Sequence, residues 1–299
     1  MAWLFHDPLT RLLAQAIVII AASRLVGLLT RRINQPFVIA EVVTGEPWDD
    51  LVAYAAGSEW PGIEALSGIP GLVGATPMQN VGAYGQEVRQ TVWQVRTYDR
   101  HDRRVRTFAN ADCRFGYRDS RFKGSDRYVV LTVSYQLREG NLGAPVAYAE
   151  LARTLGVAVG ERAPLTEVRA AVLALRTSKG MVLDAADHDT WSAGSFFTNP
   201  ILTEEQAAAL PDGAPRYPAG DGTVKSSAAW LIERAGFGRG YTGGRRDVSL
   251  STKHTLALTN RGEASTADLL GLAREVRDGV RSAFGVELTP EPTLVGCTL

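Results

Sequence analysis

Apolar and polar positions change period several times along this chain, and each change predicts a different element. From Leu12 to Leu29 the residues LLAQAIVIIAASRLVGLL are almost continuously aliphatic, broken by Gln15, Ser23 and Arg24. Arg31 and Arg32 follow, and Pro36 ends any helix. A membrane span needs about 20 apolar residues, and an Arg near its centre costs roughly 2.5–3.5 kcal/mol. A spanning helix and a buried or amphipathic helix therefore both stay open. A secretory signal does not fit, because no small-residue cleavage site follows the apolar stretch.

Past Glu46 the pattern becomes that of a mixed helix and strand protein. Residues 46–56 (EPWDDLVAYAA) read as a helix with Pro in its first turn and acids at its positive end. Alternation over Thr91–Asp99 and Arg103–Phe108 predicts paired strands around Arg100-His101-Asp102. The β-branched and aromatic run YVVLTVSYQL predicts a strand over Tyr128–Leu137. Helical spacing recurs over Leu165–Leu175, Thr203–Leu210, Ser226–Ala235 and Thr266–Phe284, with a short strand at Leu256–Leu258. Gly and Pro cluster near Asn141–Tyr148, where a domain boundary is expected.

Composition narrows the chemistry. The 299 residues suffice for about two domains. With 32 basic against 32 acidic residues, no bulk charge favours nucleic acid or an anionic surface. Cys113 and Cys297 lie far apart in no metal or redox pair, which points to a reducing compartment. The four histidines are scattered, so no metal site is expected. Ten basic residues crowd Arg96–Arg127, but Asp99, Asp102, Asp112, Asp119 and Asp126 interleave, as on a solvated hairpin face.

Four stretches carry candidate chemistry. The run IPGLVGATPMQNVGAYG holds Gly71, Gly74, Gly82 and Gly85, whose backbones are free to turn and to approach a ligand closely. Successive amides of such a run make an anion cradle suited to a pyrophosphate, and a turn cluster is the equal alternative. It is neither a G-x-G-x-x-G fingerprint nor a P-loop. In Arg114-Phe115-Gly116-Tyr117-Arg118-Asp119-Ser120, aromatics around a glycine can fix a guanidinium for a carboxylate or phosphate. Ser195, between Gly194 and the pair Phe196-Phe197, sits in an apolar setting where a hydroxyl can donate or accept a proton; a turn serine is the plain reading. Glu291 stands between Pro290 and Pro292, held rigidly.

Taken together, IPGLVGATPMQNVGAYGQE, CRFGYRDSRFK, AGSFFTNP, YPAGDGTVKSSAAWLIERAG and TPEP resemble, in order, the UDP-N-acetylenolpyruvoylglucosamine reductase family from about Gly45 onward. The resemblance implies a cytoplasmic, monomeric flavoenzyme with FAD and NADPH that reduces UDP-GlcNAc-enolpyruvate to UDP-N-acetylmuramate for peptidoglycan. It implies Arg118 at the enolpyruvyl carboxylate, Ser195 as proton donor and Glu291 as an orienting acid. It also implies flavin contacts at Gly71, Thr76, Gln79, Gly82 and Tyr84, and UDP-sugar contacts at Tyr148, Arg176, Lys179, Asn199, Tyr217 and Lys225. Thr198 stands where the family often has Lys. The family's Gly-x-Gly-Ser-Asn-x-Leu flavin loop is absent from the chain.

Residues 1–44, with Gln35-Pro36-Phe37-Val38-Ile39-Ala40-Glu41, resemble instead the opening of cation/proton antiporters. One helix cannot make an alternating-access transporter, so transport is not expected. The expected fold class is α+β: an unrelated N-terminal apolar helix over 1–44, a truncated FAD-binding domain over 45–147, and a smaller α/β substrate-binding domain over 148–299. Membrane contact through residues 12–29 and an inactive, flavin-free UDP-sugar-binding remnant are the alternatives.

Overall fold

The computed structural model describes residues 37–299, which divide into two compact units at Leu175 and Arg176. Residues 12–29 lie outside the described residues.

The first unit is built on a four-stranded antiparallel sheet. Its strands are β1 (Phe37–Val43), β4 (Val92–Asp99), β5 (Arg104–Ala109) and β6 (Tyr128–Arg138), in the order β1-β6-β4-β5. A two-residue hairpin of β2 (Gly82–Ala83) and β3 (Gln86–Glu87) stands apart from it. Helix α1 (Trp48–Gly57) begins at Pro47, and its first turn holds Asp49 and Asp50 at the positive end of the helix dipole. It buries Trp48, Val52 and Ala55 in one core with Val95, Val133, Tyr135 and Leu137 of the sheet. The Trp48 indole donates to the Leu66 carbonyl at 3.0 Å, so its polar edge is satisfied inside that core.

Two expectations are corrected here. Residues 37–43, which the sequence groups with the N-terminal segment, form β1, paired in register with β6 from Phe37↔Arg138 to Val43↔Thr132. The chain therefore enters the sheet before residue 45, where the FAD-binding domain was expected to begin, because FVIAEVV is rich in β-branched residues and finds a partner strand. The expected domain boundary near Asn141–Tyr148 also moves. Helix α2 (Ala149–Leu155) and helix α3 (Leu165–Ser178) bury Leu151, Ala152, Val168 and Val172 against Ala65 and Val146 of the first unit. The division falls in the last turns of α3.

The second unit holds two three-stranded antiparallel sheets. One has the order β8-β10-β9, from β8 (Ile201–Thr203), β9 (Tyr217–Gly220) and β10 (Thr223–Lys225). The other has the order β11-β12-β7, from β7 (Ser192–Ser195), β11 (Val248–Leu250) and β12 (Ala257–Asn260). Helix α4 (Glu204–Ala208) starts at a capping box of Thr203 and Gln206, and α5 (Ala228–Arg234) at Ser227. Helix α6 (Thr266–Phe284) has the span its periodicity predicts, with a Ser265–Asp268 capping box and Gly285 as its left-handed stop. Its Leu272, Ala273, Val276 and Val280 join Leu231, Ile232, Leu250 and Leu258 in the core.

Candidate functional site

The glycine run of the first unit is a packed turn, and its amides are mostly engaged. Val73 donates to the Glu46 carbonyl at 2.9 Å, Gly74 to Thr44 at 3.1 Å and Thr76 to Val73 at 3.1 Å. Met78 and Val81 donate within the run to Ala75 and Thr76. The expected cradle of successive outward amides is thus corrected for these positions: satisfying buried backbone donors came first. Gly74 is required by packing, because a Cβ there would overlap Thr44. Gly71 differs, with φ +111 and no atom within 4 Å of where a Cβ would stand. Thr76 is buried; its hydroxyl donates to the Val73 carbonyl at 2.8 Å and shares a 2.7 Å bond with the Tyr135 hydroxyl.

Arg118 is brought onto the end of this run. Its Nη2 donates to the Gly82 carbonyl at 2.7 Å, and a Cβ on Gly82 would fall 3.0 Å from its Nη1. Gly82 is therefore bare where the guanidinium lies. Arg118 has φ +53 in a turn where the Gly116 amide donates to the Asp119 carbonyl at 2.9 Å. Lys123 Nζ donates to the Arg118 carbonyl at 2.8 Å, and the guanidinium lies 5.4 Å from the Tyr117 ring centre. Buried Asn80, which sequence reasoning did not single out, ties the two loops together. Its Nδ2 donates to the Gly116 carbonyl at 2.8 Å and to Glu87 at 3.0 Å, and its Oδ1 accepts from the Arg89 amide at 3.1 Å. An Asn inside a glycine run is a signal for such a link, since it tolerates positive φ and bonds backbone groups. Gln79 is half-buried beside it. Tyr84, at φ +48, packs edge-on against Tyr148 with ring centres 6.1 Å apart.

In the second unit Ser195 ends β7, opposite Ala257 of β12. The chain continues into buried Phe196 and Phe197, and the C-terminal segment is pinned beside them. The Glu291 amide donates to the Phe196 carbonyl at 2.8 Å, Phe197 bridges Pro290, and the Thr198 amide donates to the Thr289 carbonyl at 3.0 Å. Residues almost a hundred positions apart in sequence are thus neighbours, and Glu291 is held next to the serine strand. Asn199 Oδ1 accepts from the Ala228 amide at 2.9 Å, at the start of α5. Lys225 and exposed Tyr217 face each other across β10 and β9, and Lys225 also pairs with Ile201 of β8. Arg176 and half-buried Lys179 lie at the end of α3, where Arg176 Nη2 donates to the Met181 carbonyl at 3.3 Å.

Beneath this surface a buried carboxylate organises the strand ends. Burial pushes the Asp189 carboxyl up, but hydrogen bonds from the Thr252 hydroxyl and amide and from Arg261 outweigh it and hold the group below its ordinary value. Arg261 Nε also donates to Ser249 Oγ at 2.8 Å, so Asp189 links the segment before β7 to β11 and β12. Among the described residues no group of acids, His or Cys could hold a metal ion.

A flavin needs room for a flat ring with polar edges and donors for a pyrophosphate. In the first unit, bare Gly82 with the guanidinium against it, the adjoining Tyr84, and the open, exposed Gly71 are the residues that would hold such a ring. The engaged amides of residues 73–76 offer the pyrophosphate no nest.

The FAD binding domain family matches residues 12–107, and the C-terminal domain of UDP-N-acetylenolpyruvoylglucosamine reductase matches residues 185–295. The first match takes in most of the stretch that resembles an antiporter, and nothing in the comparisons supports that likeness. A UDP-N-acetylenolpyruvoylglucosamine reductase from Salinispora arenicola is 55% identical over 289 residues, covering 94% of this chain and 79% of the relative. One from Saccharopolyspora erythraea is 58% identical over 265 residues, covering 85% and 72%. The crystal structure of the reductase from Thermus caldophilus aligns with a TM-score of 0.56 at 24% identity, over 84% of this chain and 71% of that one, a likeness of fold. With more than half its residues shared with relatives that it spans over two thirds of their length, the chain belongs to the UDP-N-acetylenolpyruvoylglucosamine reductase family.

Proposed function

We propose that this chain reduces UDP-GlcNAc-enolpyruvate to UDP-N-acetylmuramate with NADPH, as a flavoenzyme of peptidoglycan precursor synthesis. Bound FAD supplies the hydride that it takes from NADPH. Reduction adds that hydride and one proton across the enolpyruvyl double bond, and the chain's own residues handle charge and proton. As the hydride adds, negative charge builds toward the carboxylate, and Arg118 is the cation that meets it. Its bond to the Gly82 carbonyl keeps the guanidinium from swinging away. Ser195 gives its hydroxyl proton to the carbon next to the carboxylate, and Glu291 orients and polarises the reacting end.

Tyr148, Arg176, Lys179, Asn199, Tyr217 and Lys225 hold the UDP-sugar, and Gly71, Gln79, Gly82 and Tyr84 line the flavin. For Thr76 the buried hydroxyl supports a supporting role behind that surface. The observation that most supports these roles is the pinning of Glu291 onto the Phe196 carbonyl, which puts an acid beside Ser195 by backbone bonds alone. An inactive UDP-sugar remnant is not favoured, since both the flavin-binding and the C-terminal domain families match. The reading takes the enzyme as a cytoplasmic monomer, where NADPH and nucleotide sugars are found. Among the described residues no helix is long and apolar enough to cross a membrane.

The test is anaerobic mixing of purified, yellow protein with NADPH and then with UDP-GlcNAc-enolpyruvate. Bleaching by the first and recovery of colour by the second, with UDP-N-acetylmuramate found by mass spectrometry, is the expected result. Bleaching without recovery would refute the substrate assignment.

A further inference from the structure

Glu64 is 2% exposed, in a single 3-10 turn of the first unit, and has no role in the chemistry above. Its Oε2 accepts from the Gly62 amide at 2.6 Å. Its Oε1 accepts both from Gln86 Nε2 at 2.8 Å and from the Ala144 amide at 2.7 Å. Gln86, also buried, returns a bond by accepting from the Ala65 amide at 2.7 Å. The partners of Glu64 are all neutral N–H donors, and among the described residues it makes no ion pair within 4 Å. Three donors converging on two oxygens need a side chain that only accepts, which an ionised carboxylate is and an amide is not. Burying that charge is costly for a plain staple, so the site is built around it.

What Glu64 joins is informative. Gln86 belongs to the hairpin whose turn holds Tyr84, and Ala144 lies in the segment that leads to Tyr148. Gly143 is bare where the carboxylate enters, since a Cβ there would fall 2.8 Å from Oε1. Gly85, at φ +89, is bare against Ala147, whose Cβ would lie 2.7 Å from its own. The two tyrosines meet edge-on just beyond these contacts. A cavity of about 300 Å³ opens beside them, with Glu64, Tyr84, Gln86, Gln90, Pro145 and Val146 in its wall. Packing beside Tyr84 is therefore incomplete, and the Glu64 hydrogen bonds act together with the close contacts at Gly85–Ala147 and Tyr84–Tyr148 to set how the 143–148 segment stands on the hairpin.

We propose that Glu64 is a positioning residue for the nucleotide sugar: it clamps the 143–148 segment to the hairpin and so sets where Tyr148 stands relative to Tyr84. The proposal rests on the reading that Tyr148 meets the UDP-sugar. Glu64→Gln keeps the shape but turns an amide against one of the converging donors, and Glu64→Asp keeps the acceptor chemistry on a shorter arm.

The experiment compares the full-length wild type and both variants. It measures hydrogen exchange of peptides covering 143–148, calorimetric Kd for UDP-GlcNAc-enolpyruvate, and the rate of flavin bleaching by NADPH. In Glu64→Gln, exchange at 143–148 is expected to quicken and Kd to rise about tenfold, the scale of one lost buried hydrogen bond. Bleaching should stay within about twofold, because it is measured with no sugar present. Glu64→Asp should fall between. Should Glu64→Gln fail to fold, Gly143→Ala takes its place, pushing the segment off an intact carboxylate. Unchanged exchange, or faster exchange with unchanged Kd, would overturn the clamp. A wild type that binds the sugar without turning it over refutes the reductase reading alone, because Kd and exchange still decide the clamp. A wild type that does not bind it refutes both.

Discussion

The two units hold their candidate site residues by different means. In the first, Arg118, Asn80 and Tyr84 sit in turns at positive φ, Arg118 and Asn80 fixed by side-chain bonds to carbonyls and Tyr84 packed on the Tyr148 ring. In the second, Ser195 and Glu291 ride on a strand end and a pinned tail, fixed by main-chain bonds between Phe196, Phe197, Pro290 and Glu291. Loop sites depend on which residue stands at each turn position, whereas strand-end sites depend on backbone pairing and tolerate side-chain change. Substitutions in the second unit should therefore report chemistry cleanly, and those in the first should mix chemistry with architecture.

The sharpest use of that contrast is Ser195→Ala. Positioned proton transfer contributes about 10²–10⁴-fold, so reduction of the enolpyruvyl substrate should fall by that factor. Bleaching of the flavin by NADPH and the melting temperature should not change, as stopped-flow absorbance and calorimetry would reveal; equal loss in both half-reactions would make Ser195 structural. Arg118→Met should cost about 10²–10³-fold in turnover, the scale of one lost donor at a developing anion. Unlike the serine variant it should also perturb the flavin spectrum, because the Gly82 loop loses its bond. An unperturbed spectrum would mean that the first unit does not mix the two roles.

The glycines give a smaller but more local test. Gly74→Ala should destabilise by about 3 kcal/mol through overpacking against Thr44, and Thr44→Gly should relieve most of it. Gly71→Ala, which meets no atom, should cost only about 1–2 kcal/mol of backbone strain, with no rescue from Thr44→Gly. Urea denaturation of the double-mutant cycle measures both. Equal rescue would show that the two glycines do the same job.

The smallest effect is expected far from the chemistry, on the β4–β5 hairpin. A side-chain bond from Arg127 holds the buried Asp99 carboxyl well below its ordinary value of 3.8, with backbone bonds from Asp102 and His101 adding to it. A lowered carboxyl contributes stability that is present above its unfolded value and is lost as pH falls toward its folded one. The stability gap between wild type and Asp99→Asn should thus be full at neutral pH and begin to close below about pH 4. A gap constant down to pH 2 would mean that the Arg127 pair is not its source.

Much of this was legible in the residues. Helix α6 could be read to its ends because an apolar stripe, a Ser265 cap and the Gly285 stop all agree locally. Strands β4, β5 and β6 were legible from alternation and β-branched content. The order of five separated motifs was enough to name the family and its candidate Arg118, Ser195 and Glu291. The three- and four-residue strands β7 to β11 were not legible, since such short stretches have no periodicity of their own and become strands only when a neighbour pairs with them. Strand β1 was hidden for a related reason: residues 37–43 were grouped with the N-terminal segment by resemblance, and FVIAEVV becomes a strand by pairing with β6.

What the sequence alone determined is therefore the inventory: which turns need glycine, which helices are capped, and which side chains carry charge or a transferable proton. What only the tertiary structure decided is how that inventory is used. Gly74 is bare for Thr44 rather than for a phosphate, Thr76 turns its hydroxyl inward to Tyr135, and Glu64 gathers donors from three segments. Glu291 comes to lie beside Ser195. The physical reason is that propensity, capping and turn chemistry act over a few neighbouring residues. Close approach, burial and the sharing of donors arise between residues far apart in the chain, and they exist only once the sheets have formed.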